Sequence, residues 1–162
     1  MVLTTTLLGV TAALAGCGDG ASEARPAPST PATSSSAPTP TPERPDPRTA
    51  IVDLINTFHL AVDADKAGRA CTLLTSQLQG VYARNPGASS CQEGIHQLHD
   101  ELGATKLSSL LFAPSDVEFM RHGKQAVISH ELIAKRNGTD PDETNSYNLE
   151  RERGGWKISY IG

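Results

Sequence analysis

Histidine and arginine side chains on two predicted strands are the first candidates for chemistry in this chain. His130 alternates with Ile128, Leu132 and Ala134, which would place it on the apolar face of a strand. A histidine buried near a carboxylate can act as a general base, because its ordinary pKa is about 6.5. The same position also suits a core histidine that only makes a hydrogen bond. His130 is therefore a weak catalytic candidate, and the sequence favours a protein without catalysis.

Two further groups of side chains could bind ligands. Arg151 and Arg153 share a predicted strand face with Trp156, where they would either bind an anionic ligand or cover the indole by cation–π contact. His96 and His99 are three residues apart on a predicted helix, a spacing that can bring two imidazoles to one metal. No third ligand accompanies them, so we expect no metal and no cofactor.

Composition excludes one class of function. The 162 residues carry a formal charge of −4, and lysine and arginine are not clustered, so we expect no nucleic-acid partner. Aromatic residues make up only 4% of the chain, which means that Leu, Ile, Val and Ala must build the core.

An apolar run ends in Leu14-Ala15-Gly16-Cys17. This tetrapeptide resembles the lipobox of bacterial lipoproteins, and the likeness implies that residues 1–16 are a signal peptide and that Cys17 carries a diacylglyceryl thioether. The expected location is the extracytoplasmic face of the cell membrane, held by lipid; the alternative is a plain secreted protein. Residues 1–16 contain no basic side chain, so we expect the natural start to lie further upstream.

Residues 17–46 have the composition of a tether. Eight of the eleven prolines fall between Pro26 and Pro47, among Ser, Thr and Ala. Proline removes backbone donors and these small residues add little to a core, so the segment is predicted to stay extended. Beyond it remain two cysteines, Cys71 and Cys91. An even pair in an exported chain indicates a disulfide; the alternative is two buried thiols.

Residues 47–162 predict helices followed by strands. Asp46-Pro47 suits a helix start, and Ile51, Ile55, Phe58 and Val62 then recur at helical spacing. A second helix is predicted from about residue 65, with another turn or two after it, and a further helix begins in a capping box at residues 90–93. Strands are predicted at 106–112, 117–120, 125–135, 146–153 and 156–161. The order indicates an α+β fold with helices on one side of an antiparallel sheet.

The last hairpin is the clearest in the sequence. Gly154-Gly155 is predicted as its turn, which would pair Glu152 with Lys157 and place Trp156, Ile158 and Tyr160 on one face. A second turn at His122-Gly123 would pair Phe119 with Ala126.

Several of these features together resemble a known family. The lipobox, the Pro/Ser/Thr tether, the Cys-Thr-Leu-Leu segment with a second cysteine downstream and the terminal Arg-Glu-Arg-Gly-Gly-Trp-Lys-Ile-Ser hairpin are similar to small lipoproteins of high-GC Gram-positive bacteria with an NTF2-like (cystatin-like, SnoaL-like) domain. The resemblance covers residues 47–162 and implies a cone formed by helices packed on a curved sheet of four to five strands. Such a cone usually encloses a pocket. The candidate pocket residues are His130, Phe119, Ile128, Leu132, Tyr147, Arg151, Trp156, Tyr160, His99 and Phe58.

Three hypotheses for function follow from this reading. The first is a module that binds a small apolar ligand, or that serves an envelope protein partner or a homodimer. The second is an NTF2-like isomerase, dehydratase or hydrolase that acts on a small hydrophobic substrate. The third is a structural protein with its pocket filled by side chains.

Overall fold

Five helices and a four-stranded antiparallel sheet make up residues 46–162, the part of the chain that the computed structural model describes. The fold class is α+β, as the sequence predicts. The signal segment, Cys17 and all of the tether before Asp46 lie outside the described residues. The helices are α1 Pro47–Asp63, α2 Ala67–Thr72, α3 Ser76–Tyr82, α4 Cys91–Leu102 and α5 His130–Asn137, and the strands are β1 Glu118–Met120, β2 Gln125–Ile128, β3 Tyr147–Glu152 and β4 Gly155–Ile161.

Helix α1 is the longest element and forms one side of the core. The backbone N–H of Arg48 donates to the Asp46 carboxylate at 2.9 Å, and Pro47 occupies the first turn, where its missing N–H costs nothing. The predicted apolar stripe is buried along the whole helix. Its fully buried members are Ile51, Ile55, Phe58 and Val62.

Helix α4 begins at a variant of the predicted capping box. The backbone N–H of Glu93 donates to Ser90 Oγ at 3.2 Å, while the Glu93 carboxylate accepts from the backbone N–H of Ser89 at 2.5 Å. The carboxylate thus reaches one residue further back than the box predicts. One turn into α4, Gly94 lies against the backbone of Tyr82 in α3, a contact that leaves no room for a side chain.

The predicted disulfide is confirmed. Cys71 in α2 and Cys91 at the start of α4 are bonded across 20 residues, with Cα atoms 6.2 Å apart. Closing a loop of this length contributes about 3 kcal/mol in the chain-entropy description. The bridge fixes the short α2 helix against α4.

The sheet is a simple meander in the order β1-β2-β3-β4. Phe119 pairs with Ala126 as predicted, and the row continues through Leu149 to Ile158. Ala126, Leu149 and Ile158 are fully buried against the helices. Large apolar side chains from both layers therefore occupy the space between the helices and the sheet.

Two predicted strands are wrong. Residues 106–112 form a short 3-10 turn at Leu107–Ser109 followed by irregular chain, and residues 125–135 divide into β2 and helix α5, which begins at His130. Alternation of apolar and polar residues over so few positions suits a helix as well as a strand. In α5 the buried side consists of Ile133 and Ala134. Gly138 closes this helix with φ 69°, a conformation that glycine adopts without strain.

The register of the last hairpin also differs from prediction. Glu152 pairs with Gly155 and Glu150 pairs with Lys157, so the turn falls at residues 153–154. A bulge at Asn148 and Leu149 then places Tyr160 opposite Asn148, where it is exposed and leaves the face that Ile158 occupies. In residues 46–162, no helix is both long enough and apolar enough to span a bilayer.

Candidate functional site

Residues 103–112, which we call the strap, connect α4 to the sheet region and pack along α1. Two side chains hold its backbone. The Asp63 carboxylate accepts from the backbone N–H groups of Leu107 and Ser108, each at 2.9 Å. Asn137 accepts from the N–H of Leu111 at 2.7 Å and donates to its carbonyl at 3.1 Å. Hydrogen bonds at its middle and near its C-terminal end therefore hold a segment that contributes no fully buried residue.

The strap covers a buried pair of polar side chains. His59 of α1 has no exposed surface and Tyr147 of β3 is 4% exposed, and His59 Nε2 lies 2.7 Å from the Tyr147 hydroxyl. Phe112, at the end of the strap, packs on both rings with centroid separations of 5.5 and 5.6 Å. His59 Nδ1 has no hydrogen-bond partner within residues 46–162.

Burial keeps both groups neutral at pH 7. Burial lowers the pKa of His59 to about 4, although the Asp63 carboxylate and the Leu107 backbone act in the opposite direction. Burial also raises the pKa of Tyr147, and the nearby Tyr82 adds to that effect. The pair is therefore a neutral imidazole next to a neutral phenol.

The 2.7 Å contact allows two proton arrangements. In the first, the Tyr147 O–H donates to Nε2, and Nδ1 of His59 carries a proton that makes no well-formed hydrogen bond, although the Leu107 backbone lies near the ring. In the second, Nε2–H donates to the phenol oxygen, Nδ1 is an unpaired acceptor, and the Tyr147 O–H is a donor without an acceptor. The first arrangement leaves one unused hydrogen-bonding capacity at this place, and the second leaves two.

The carboxylate of Asp63 is committed to the strap. Burial alone would raise its pKa, but hydrogen bonds from the Ser108 side chain and from the Ser108 and Leu107 backbone, together with the charge of Lys106, lower the pKa below its usual value. Asp63 therefore stays ionised at neutral pH and holds the strap rather than serving as a base for His59.

A cleft of about 310 Å³ opens beside the strap, and Tyr147 is part of its wall. One wall comes from the end of α4 and the strap, and the other from the loop between α5 and β3. The lining residues are Leu102, Thr105, Lys106, Leu107, Ser109, Leu110, Thr139, Glu143, Thr144, Asn145 and Tyr147. Its surface is mixed: one wall carries leucines together with two hydroxyl side chains and Lys106, and the other carries hydroxyl, amide and carboxylate groups.

The predicted position of His130 is wrong. It is the first residue of α5 and its side chain is 41% exposed, so it does not lie on the apolar sheet face. Its Nδ1 lies 3.1 Å from the Ser146 hydroxyl and its Nε2 lies 3.2 Å from the Glu131 carboxylate. These contacts fix the start of a helix, and they do not place His130 beside the cleft.

The other predicted pocket residues are distributed over several places. Phe58 and Ile128 are core residues, Leu132 is half-buried on α5, and Tyr160 is exposed. The predicted pocket residues therefore do not surround one cavity. Of them, Tyr147 alone is among the residues that line the cleft.

An aromatic stack lies at the β1–β4 side of the domain. The rings of Phe119 and Trp156 stack with centroids 5.9 Å apart, and Arg151 is the residue paired with Trp156 across the hairpin. The guanidinium of Arg48, in α1, lies over Phe119 at 5.0 Å. The sequence predicts Arg151 and Arg153 as cover for the Trp156 indole, whereas the cation that lies over an aromatic ring here is Arg48, and that ring is Phe119.

The histidines on α4 have separate partners. His96 Nδ1 lies 2.5 Å from the Asp65 carboxylate, and His99 Nδ1 donates to the Val62 carbonyl at 2.9 Å. Within the described part of the chain, no group of three His, Cys, Asp or Glu side chains is arranged to hold a metal ion.

No protein-family model matches this chain, and neither characterised proteins nor solved structures give a significant match. The geometry of the described residues therefore carries the functional argument. The residue that sequence reasoning missed is His59. Its signal was present, because His59 stands four residues after Ile55 and three before Val62, on the buried stripe of α1.

Proposed function

We propose that this protein is a lipid-anchored module of the cell envelope that binds a small, mostly apolar molecule in the cleft beside Tyr147. The observation that carries the proposal is Tyr147, which lines a cleft with leucines on one side and whose hydroxyl contacts a buried histidine. A few converging polar groups in a largely apolar recess are typical of small-molecule sites. The helix-then-sheet order supports an NTF2-like domain, which we propose as the fold family.

The size of the cleft limits the ligand. About 310 Å³ is at the lower end of small-molecule sites, which range from about 300 to 1,000 Å³. Leu102, Leu107 and Leu110 suit an apolar body, and the Tyr147 hydroxyl suits one oxygen or nitrogen on that body. The ligand would lie in the cleft at the surface of the domain and not between the helices and the sheet, because core side chains fill that space.

The filled core favours a second candidate. If the cleft is only an irregularity of the surface and binds no ligand, the domain is a structural or protein-binding element, in agreement with the third hypothesis. No specific observation favours an enzyme, because within residues 46–162 no carboxylate hydrogen-bonds His59 or Tyr147.

One experiment separates these candidates. Native purification followed by solvent extraction and mass spectrometry should recover an apolar small molecule from the wild type. Asn145→Trp, which fills the cleft from an exposed position, should lose it, and Met120→Trp, exposed on the sheet, should retain it. Recovery of no molecule from the wild type would favour the structural candidate, and equal recovery from Asn145→Trp would refute the cleft as the site.

The anchor is a separate part of the proposal, supported by the tetrapeptide at residues 14–17. A diacylglyceryl group with further acylation gives stable anchoring, since each buried methylene contributes about 0.8 kcal/mol. Mass spectrometry of the membrane-extracted protein should show a chain that begins at an acylated Cys17. A chain with an unmodified Cys17 thiol and an intact Met1 would contradict it.

A further inference from the structure

Two leucines on neighbouring elements are exposed on one flank of the domain. Leu60 of α1 is 59% exposed and Leu111 of the strap is 61% exposed. A groove of about 330 Å³ lies between them, with Leu110 and Phe112 also in its lining. We call this surface the leucine flank.

Cations lie next to the leucine flank. A second groove, on the other side of Leu60, is lined by Lys66 and Arg69 together with small or hydroxyl side chains. No carboxylate of residues 46–162 is among the residues that line either groove. The ammonium of Lys106 adds a third cation near this end of α1, 3.5 Å from the Asp63 carbonyl.

Two carboxylates near this end of α1 have hydrogen-bond partners. Asp63 accepts two backbone N–H groups of the strap, and Asp65 contacts the His96 ring at 2.5 Å. The surface around Leu60 therefore combines exposed aliphatic side chains with lysine and arginine, while the chain as a whole carries a formal charge of −4.

We propose that the leucine flank docks the folded domain onto an anionic lipid surface. Leu60 and Leu111 would enter the acyl boundary, while Lys66 and Arg69 would contact lipid phosphates. Interfacial binding of this kind scales with the buried apolar area and with attraction to anionic lipid. The net charge of the chain is negative, so an anionic lipid surface repels most faces of the domain. The cations beside the leucine flank therefore select the orientation in which the domain binds that surface.

The flank suits a membrane better than a second copy of the chain. A stable protein interface takes about 20–30 residues a side, whereas this flank offers two exposed leucines and a half-buried aromatic ring. A lipid surface needs few contacts if another attachment keeps the domain nearby. Only the argument that a few lipid contacts are sufficient rests on the proposed anchor at Cys17.

Vesicle sedimentation tests the proposal without the anchor. The full chain with Cys17→Ser and an intact disulfide is mixed with vesicles of phosphatidylcholine alone or with about one-third phosphatidylglycerol. We expect binding to the anionic vesicles and at least fivefold weaker binding to the neutral ones. Lys66→Gln with Arg69→Gln should weaken anionic binding about 25-fold, since each cation near the surface contributes about fivefold.

Matched variants test the leucines. Leu60→Ser with Leu111→Ser should weaken anionic binding by at least fivefold, because the penetrating apolar area is lost. Met120→Ser with Tyr160→Ser removes two comparably exposed residues from the sheet and should bind as the wild type does.

Several results would overturn the proposal: equal binding by the leucine variant, equal loss in the sheet control, or a leucine-dependent dimer in light scattering with no vesicle binding. The variants leave the cleft beside Tyr147 and the lipidation of the native protein unchanged. A negative result in the vesicle experiment therefore does not bear on the proposed ligand cleft or the proposed anchor, which have their own tests.

Discussion

The phenol of Tyr147 and Nε2 of His59 are 2.7 Å apart beneath the strap, and the other nitrogen of the histidine has no partner within the described residues. A buried polar atom without a hydrogen bond costs about 1–3 kcal/mol. Unpaired polar groups of this kind are rare in folded proteins and concentrate at functional sites. The cleft beside Tyr147 is the place where another molecule could use this spare capacity.

The buried histidine predicts how stability depends on pH. Burial lowers the folded-state pKa of His59 to about 4, while the unfolded chain titrates at about 6.5. Above about pH 6.5 both states are neutral and the full stability is present. As the pH falls towards 4, only the unfolded state gains the proton, so folding should weaken by about 3 kcal/mol in total.

Urea denaturation at a series of pH values measures this effect. His59→Gln can still hydrogen-bond Tyr147 but does not titrate, so its stability should change less between pH 6.5 and pH 4 than that of the wild type. His122→Gln, on an exposed turn, should keep the wild-type slope. Identical slopes for the wild type and His59→Gln would show that the folded-state pKa is not depressed.

The hydrogen bond itself can be measured by a double-mutant cycle. Tyr147→Phe removes the hydroxyl and leaves Nε2 of His59 without a partner, which should cost about 1–3 kcal/mol of unfolding free energy. His59→Leu should cost a similar amount by leaving the phenol unpaired. The double variant should be destabilised by about 1 kcal/mol less than the sum of the two, because both partners are then absent. Strict additivity would mean that the two groups do not interact.

Residue patterns predicted the class of the fold but not all of its elements. Long, strongly periodic segments such as α1, and the disulfide between Cys71 and Cys91, follow the prediction. Residues 125–135 do not, because their alternation of apolar residues over a few positions suits both a strand and a helix. The bulge at Asn148 and Leu149 is invisible in the sequence, yet it moves Tyr160 to the other face.

The candidate site was harder to predict than the fold. His130 was predicted as a catalytic candidate because its neighbours suggest the apolar face of a strand, but it lies at the start of α5. His59 lies on a helix stripe where an apolar residue is expected, and its partner is 88 residues away in β3. Only the tertiary structure shows that the two meet, since sequence spacing carries no information about contacts at that separation.

Gly94 predicts a specific steric effect in the helical layer. A Cβ at this position would lie 2.3 Å from the Tyr82 carbonyl oxygen, a backbone atom that cannot rotate away. Gly94→Ala should therefore destabilise the domain by about 1–3 kcal/mol in thermal or urea denaturation. Gly80→Ala in α3 meets nothing closer than 3.5 Å and should be neutral or stabilising by up to about 1 kcal/mol. Equal stability of the two variants would contradict the close approach of α3 and α4.

The strap should open more easily when Asp63 is changed. Its carboxylate accepts the backbone N–H groups of Leu107 and Ser108, and hydrogen bonds to a charged group contribute about 1.5–3 kcal/mol each. Asp63→Ala should therefore accelerate amide exchange in a peptide that covers residues 104–112 by tenfold or more, as followed by mass spectrometry. Asp53→Ala removes an exposed carboxylate from the same helix and should leave that exchange unchanged. Unchanged exchange in Asp63→Ala would mean that the packing of Leu107 and Phe112 holds the strap, and that the cleft beside Tyr147 does not depend on Asp63 for its shape.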